Sequence, residues 1–264
     1  GSGDRICYHG VMDMFRNPKL AASVYACEQD EIPVLQITSS MDIGEHPGCN
    51  RGNLYILSNA DSVRMYKNDR FIKEYRPEMS PYKHLKHGPI LIDDFIGDAL
   101  EKNERFRPKH AKEMADAMNI VARGSLNHIP KRLYPTALKL VLLYHIDFAE
   151  VTKLYTKYIG DWGGTATVYR FDAIKNGKVI KSVTKEPVNG IRLQAEADHT
   201  NLTEHHSYDV ALVRIRAVDA HGNVLPFYQE PVRITAEGDI AIIGPDTIAL
   251  QRSEEHTSEL QSPY

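Results

Sequence analysis

The spacing of hydrophobic positions changes repeatedly along this chain, and each change predicts an element boundary. Between Val11 and Cys27, Leu20, Val24 and Cys27 recur at helical spacing with Ala21 on the same face. Asn17 fits the N-cap of that helix and Pro18 its first position. The stripe needs something to pack against, and nothing upstream in the chain supplies it, so the helix reads as orphaned. From Ile32 the period becomes two. Val34, Gln36 and Thr38 alternate with Leu35, Ile37 and Ser39, and a polar loop runs from Met41 to Gly52. Leu54–Ser58, Val63–Tyr66 and Phe71–Tyr75 follow as short strands, joined by Asn59-Ala60-Asp61-Ser62 and by a turn at Asn68-Asp69. Short strands broken by Asn, Asp and Gly turns predict a β-sandwich.

From Asp93 to Gly160 the period is helical again. Ala111, Met114, Ala115, Met118 and Val121 form one amphipathic stripe ending near Gly124, Ala137–Tyr144 is apolar on nearly every side, and Phe148, Val151, Leu154, Tyr155 and Tyr158 form a third stripe stopped at Gly160. A connection this long is uncommon within a sandwich, so it reads as a helical subdomain inserted between strands. Alternation resumes in Ala166–Ile174 and Val179–Thr184, which flank the hairpin signal Asn176-Gly177. After a domain edge at Pro187–Gly190, a second strand series begins. Val213, Ile215 and Ala217 alternate with Arg214 and Arg216, Asp219–Asn223 supplies a turn, and Val232–Ala236 and Ile240–Ile243 follow, the pattern of a smaller sandwich cut off before its last strand.

Composition changes this picture little. The 264 residues suffice for two cores, and a hydrophobic content of 42% with 25% charged residues is ordinary for a globular protein. A net charge of -3 gives no electrostatic reason to expect nucleic acid or an anionic membrane as partner. No apolar run approaches the roughly 20 residues needed to span a bilayer. The three cysteines, Cys7, Cys27 and Cys49, are widely spaced, which suits reduced structural thiols and a cytoplasmic location. Asn201-Leu202-Thr203 matches a glycosylation sequon of the kind that arises often by chance. Arg252–Ser262 reads, codon by codon, as the translation of a common sequencing-adapter oligonucleotide. Residues 252–264 are therefore expected to be an artefactual disordered tail, and the chain an internal slice of a longer protein.

Three stretches, taken in order, resemble glycoside hydrolase family 2, in its β-galactosidase-like branch. Tyr8-His9-Gly10-Val11-Met12-Asp13 through Arg16-Asn17-Pro18-Lys19 is similar to the segment leaving the last barrel strand of that family and entering the final barrel helix. Leu54–Val63, continuing to Tyr66-Lys67-Asn68, resembles the strand, Asn-Ala-Asp, strand, Asn-Gly signature of the immunoglobulin-like domain after the barrel. Asp69 stands where the family usually has Gly, and Asp tolerates the left-handed backbone. Ala211–Pro226 resembles the last bacterial immunoglobulin-like module.

The resemblance implies a mainly β fold with an inserted α-helical subdomain: two immunoglobulin-like β-sandwiches preceded by the last helix of a truncated (β/α)8 barrel. Residues 1–30 would be the barrel remnant, 31–188 the first sandwich with its helical insertion at about 93–160, and 189–251 the second, truncated sandwich. It implies a parent that hydrolyses β-galactosides with retention, using two glutamates on the barrel. No glutamate of this chain matches either motif, so no catalytic residue is assigned, and the chain alone is expected to be inactive. The implied partners are the missing barrel, the carbohydrate substrate and further copies in a homo-oligomer. The alternative is a stand-alone carbohydrate-binding or adhesive β-sandwich protein.

Four side chains are candidates for the rim of the sugar site. Tyr8, His9 and Asp13 would lie near the barrel mouth, where they could equally orient the loop into the last helix. Trp162, the only tryptophan, could stack on a sugar ring or anchor the inserted helices onto the sandwich. His84-Leu85-Lys86-His87 and His205-His206 have no recognised ligand spacing and are expected in polar loops, so no metal or other cofactor is expected. Glu28, Asp30 and Glu31 are expected to splay toward solvent without forming an acid/base pair.

Overall fold

The alternating runs fold into antiparallel strands whose inward residues meet in common cores. In the computed structural model, residues 10–12, 17–41, 50–124, 148–160, 166–225, 228–250 and 254–261 are described. The chain divides into two compact units, Gly1–Pro187 and Val188–Tyr264.

In the first unit, β1 (Leu35–Ile37), β2 (Tyr55–Ser58) and β5 (Ile90–Leu91) form a sheet in the order β1-β2-β5. β3 (Ser62–Lys67), β4 (Arg70–Tyr75), β6 (Tyr169–Lys175) and β7 (Lys178–Lys185) form a second, ordered β4-β3-β6-β7. The register places inward residues opposite one another: Ile37 faces Ile56, Val63 faces Ala173, and Met65 faces Phe171. These side chains are buried in one core shared by both sheets. Asn59–Asp61 is thus the passage from one sheet to the other, with β2 and β3 in different layers. The two hairpins of the second sheet turn through Asn68-Asp69, at φ of 48° and 60°, and Asn176-Gly177, at 51° and 73°. Two successive left-handed residues give the turn whose twist matches that of paired strands, which is why Asn, Asp and Gly occupy these positions.

The helical insertion lies in the connection from β5 to β6. It comprises α2 (Ala99–Asn103), α3 (Pro108–Arg123) and α4 (Phe148–Tyr155), the last continuing as a π-helical turn, Thr156–Gly160. Pro108 opens α3, and Ala111, Met114, Ala115, Met118 and Ala122 face the same core as the sandwich. The apolar segment Ala137–Tyr144 lies outside the described residues.

The first helix differs from its expected start. Helix α1 (Leu20–Ala26) begins two residues beyond Pro18, with Lys19 at its N-cap. Met12 bridges Pro18 in an antiparallel pair, and the Lys19 amide donates to the Val11 carbonyl at 2.9 Å. That pairing keeps residues 17–19 extended, so the helix opens only at the Lys19 carbonyl, which accepts from Ala22. Of its expected stripe only Cys27 is buried; Leu20 and Ala21 are exposed and Val24 is half-buried.

The second unit pairs a four-stranded sheet with a two-stranded one. β8 (Arg192–Ala197) and β9 (Val210–Val218) lie in the order β11-β13-β9-β8 with β11 (Ala241–Ile243) and β13 (Glu254–Gln261). β10 (Pro231–Arg233) pairs with β12 (Thr247–Ala249). Ile215, Ala217, Val232, Ile248 and Leu250 make its core. The predicted turn at 219–223 is present: the Asp219 carboxylate accepts the His221 and Asn223 amides at 2.9 and 2.8 Å. Within the tail expected at 252–264, the backbone of Glu254–Gln261 is strand β13, antiparallel to both β9 and β11. A β9 edge left open would present a row of unpaired amides and carbonyls, and a segment lacking Pro and Gly can pair with it.

Candidate functional site

Tyr8, His9, Asp13 and Trp162 all lie outside the described residues. What the structure shows is how the segments carrying them are anchored. Residues 10–12 are tied to 18–19 by the bridge and hydrogen bond above. Trp162 follows the π-helical turn, whose Tyr158, Ile159 and Gly160 are buried.

Arg51 holds that turn. Its guanidinium is buried, donating to the Ile159 carbonyl from Nη2 at 2.9 Å and from Nε at 3.2 Å, and to the Met41 carbonyl from Nη1 at 2.9 Å. It also lies over the Tyr169 ring, 5.5 Å from the centroid. Its own backbone amide donates to Ala122 near the end of α3. One residue therefore ties Met41, the helical insertion and strand β6 together.

The Asn-Ala-Asp passage works similarly. Asn59 is buried; its Oδ1 accepts the Val34 amide at 2.8 Å, and its Nδ2 donates to the Gln29 and Ile32 carbonyls, each at 2.8 Å. Asp61 accepts the Asn176 amide at 2.7 Å, locking the tip of the β6–β7 hairpin. Asn68 accepts the Val168 amide at 2.8 Å. These residues fix the segment between α1 and β1 and the two hairpin turns, and their roles are structural.

Charged groups are committed in the same manner. The Asp94 carboxylate accepts from the Ile96 and Gly97 amides and from Asn119 Nδ2 at 2.9–3.0 Å. Asp93 takes the Lys73 ammonium at 2.7 Å. Glu104 accepts from Lys157 and from the Tyr158 hydroxyl, both at 2.7 Å, and these contacts hold its carboxyl below the usual range. Asp30, between Lys86 and Lys175, is lowered to about 2 by hydrogen bonds to those ammonium groups. The Asp116 carboxyl on α3 is pushed up by partial burial. The acids that act on it, Asp94 and Asp93, are already engaged. Among the described residues, no three His, Cys, Asp or Glu side chains converge to hold a metal ion.

Glu28, Asp30 and Glu31 are exposed as expected, and two of them are also engaged: Glu28 accepts the Lys86 and His87 amides, and Asp30 pairs with Lys86 and Lys175. His87 lies in a loop but is buried there, its amide held by Glu28, and the chain at Gly88 passes so close to Ser80 that a Cβ would meet its Oγ at 2.6 Å. Sequence reasoning missed Arg51 and Asn119, and it gave Glu28 no partner. Arg51 stands in a polar loop with nothing nearby to mark it, and its partners are main-chain carbonyls that leave no trace in the sequence.

No family model matches the chain. It is 29% identical over 257 residues to a β-galactosidase of Thermoanaerobacterium thermosulfurigenes, a match covering 95% of this chain and 27% of that protein. A β-galactosidase of Thermoanaerobacter pseudethanolicus is 26% identical, with 95% and 26% covered. A β-galactosidase of Rhizobium radiobacter is 30% identical over 94 residues, 35% of this chain and 67% of that protein. The chain thus spans about a quarter of the length of the first two relatives. Its fold is similar to that of a β-glycosidase from Bacteroides vulgatus, at a TM-score of 0.54 and 11% identity over 96% of this chain and 24% of that one. It also resembles a glycosyl hydrolase family 2 member from Bacteroides cellulosilyticus, at 0.51 and 11% over 97% and 29%. Two β-sandwich units, an ordered match over nearly the whole chain and these relatives together mean that the chain belongs to glycoside hydrolase family 2, in its β-galactosidase-like branch.

Proposed function

We propose that this chain is the non-catalytic C-terminal portion of a retaining glycosidase acting on terminal β-galactosides, its sandwiches supporting the catalytic barrel and shaping the rim of the active site. The observation that carries the reading is the match of 95% of this chain to β-galactosidases of which it spans about a quarter. Retaining hydrolysis needs two carboxyl groups about 5–5.5 Å apart, one a nucleophile and one a proton donor. Asp116 apart, the carboxylates described above are instead held by ammonium groups, amides and hydroxyls, an arrangement suited to a scaffold.

On this reading residues 1–30 come from the end of the barrel, and the exposed face of α1 packs against it. Residues 31–188 and 189–251 are the two accessory sandwiches. Tyr8, His9, Asp13 and Trp162 belong to the sugar-facing rim. Further copies assemble through these sandwiches, and the parent is cytoplasmic. Buried Cys27, pushed up to about 12 chiefly by burial, is an inert structural thiol suited to that compartment. Among the described residues, no helix is long and apolar enough to cross a membrane.

The test is to join the chain to the upstream sequence of its reading frame and assay a chromogenic β-galactoside. Turnover that requires a pair of upstream strand-end glutamates supports the reading. An upstream region that encodes no barrel refutes it.

A further inference from the structure

We propose that His87 is an acid-operated latch, whose protonation releases the 80–88 loop from the segment that follows α1. The observation is a buried imidazole without a partner at a joint between two pieces of chain. His87 is 8% exposed, and neither ring nitrogen has a hydrogen-bond partner. Its backbone amide and that of Lys86 are both held by one carboxylate, Glu28, at 3.1 and 3.2 Å.

A neutral ring tolerates this burial far better than an imidazolium, which brings a charge and two N–H donors that need water or acceptors. The charged groups that face His87 among the described residues are Glu28 and Asp30 from the segment after α1, Lys86 beside it, and Lys175 at the end of β6. Both carboxylates are already in use. Glu28 accepts the two amides, and Asp30 pairs with Lys86 and Lys175. The two ammonium groups repel a protonated ring. An imidazolium therefore has two ways out: it leaves the interior, or it draws Glu28 away from the amides. Either movement breaks the tie. The exposed Asp30–Lys86 pair contributes too little in water to hold the loop alone.

The rest of the joint is independent of acid. Asn59 holds Gln29, Ile32 and Val34 through amide hydrogen bonds, and Gln29 closes the segment onto Ala26 and Ile32. The latch thus frees one side of the segment and leaves the other in place. Burial depresses proton affinity at His87 in the closed form, and the neighbouring Lys86 charge adds to this. The closed form is fully favoured above the ordinary imidazole value of ~6.5, and it is lost as pH falls from there through the depressed value.

The test is amide hydrogen exchange on the 264-residue chain between about pH 7.5 and about pH 5, an interval bracketing ~6.5, corrected for the intrinsic rate. The opening constant for the Lys86 and His87 amides should rise by up to about tenfold per pH unit below ~6.5, as uptake of one proton requires. The Val34 amide, held by Asn59, should not follow. In His87→Gln the rise should disappear. A flat profile in the parent chain, or the same rise in both proteins, overturns the proposal. If the variant does not fold, a nitrogen-15 titration of the parent ring decides. Titration below ~6.5 together with loop opening supports the latch, and titration at or above ~6.5 overturns it.

Discussion

The two units are both sandwiches, yet they are closed differently. In the first, three strands and four strands share a core that the inserted helices also enter, and Ile56, Met65, Phe95, Phe171 and Ile159 are all essentially buried. Among the described residues of the second, a four-stranded sheet and a two-stranded one contribute Ile215, Ala217, Val232, Ile248 and Leu250 to a core, with Val213, Tyr228 and Ile234 packed against it. The register shows the consequence. Leu193 on β8 lies opposite Ala217, on the face that should be internal, yet it remains 53% exposed. Among the described residues, the first sandwich is sealed by its own helical insertion, and the second leaves an inward position of its edge strand open. Stability should follow burial, not strand number.

Denaturant unfolding, with a separate probe on each unit, would break this comparison most readily. Phe171→Ala should lower the first transition by about 3–5 kcal/mol and leave the second unmoved. Ile248→Ala should lower only the second, by about 2 kcal/mol, since a thinly covered core can collapse around the loss. Equal losses would mean the two cores are closed alike. Arg51→Met should lower the first transition by about 2–3 kcal/mol, because the Ile159 and Met41 carbonyls would be left buried without their donor. A loss within ~0.5 kcal/mol would remove Arg51 from the seal of the first unit.

Asp30→Asn probes a tie at the surface. With its carboxyl lowered to about 2 from an ordinary 3.8, Asp30 contributes stability that is present above 3.8 and lost as pH falls through about 2. The variant should be less stable than the parent at neutral pH, and the two should converge in acid. A gap that widens with acid would contradict the ion-pair account. The smallest effect belongs to Leu193→Ser, within about 0.5 kcal/mol, which urea titration of the second transition would check. A loss of 2 kcal/mol or more, a magnitude proper to buried aliphatics, would mean that β8 is covered.

What the sequence makes legible follows the same line. Period-two alternation locates β1 to β4, β6, β7 and β9 because each buries one face on a core, and the Asn-Gly hairpin is plain because two left-handed residues are needed there. β5 and β12 escape notice, being two and three residues long, too short for alternation to register. The start of α1 is displaced because Pro18 is taken by a strand-like pairing with Met12, a contact across the chain that capping rules do not see. The family signature is readable at Asn59 and Asp61, although their purpose emerges only when their partners at Gln29, Ile32, Val34 and Asn176 are known. Arg51 and His87 leave still less trace, since the carbonyls around one and the unpartnered interior around the other belong to the fold.

The most direct measurement is turnover of a chromogenic β-galactoside by the purified 264-residue chain, alongside the same chain joined to the barrel proposed to lie upstream. The account predicts none from the chain alone and clear hydrolysis from the joined protein. Hydrolysis by the chain alone would contradict it.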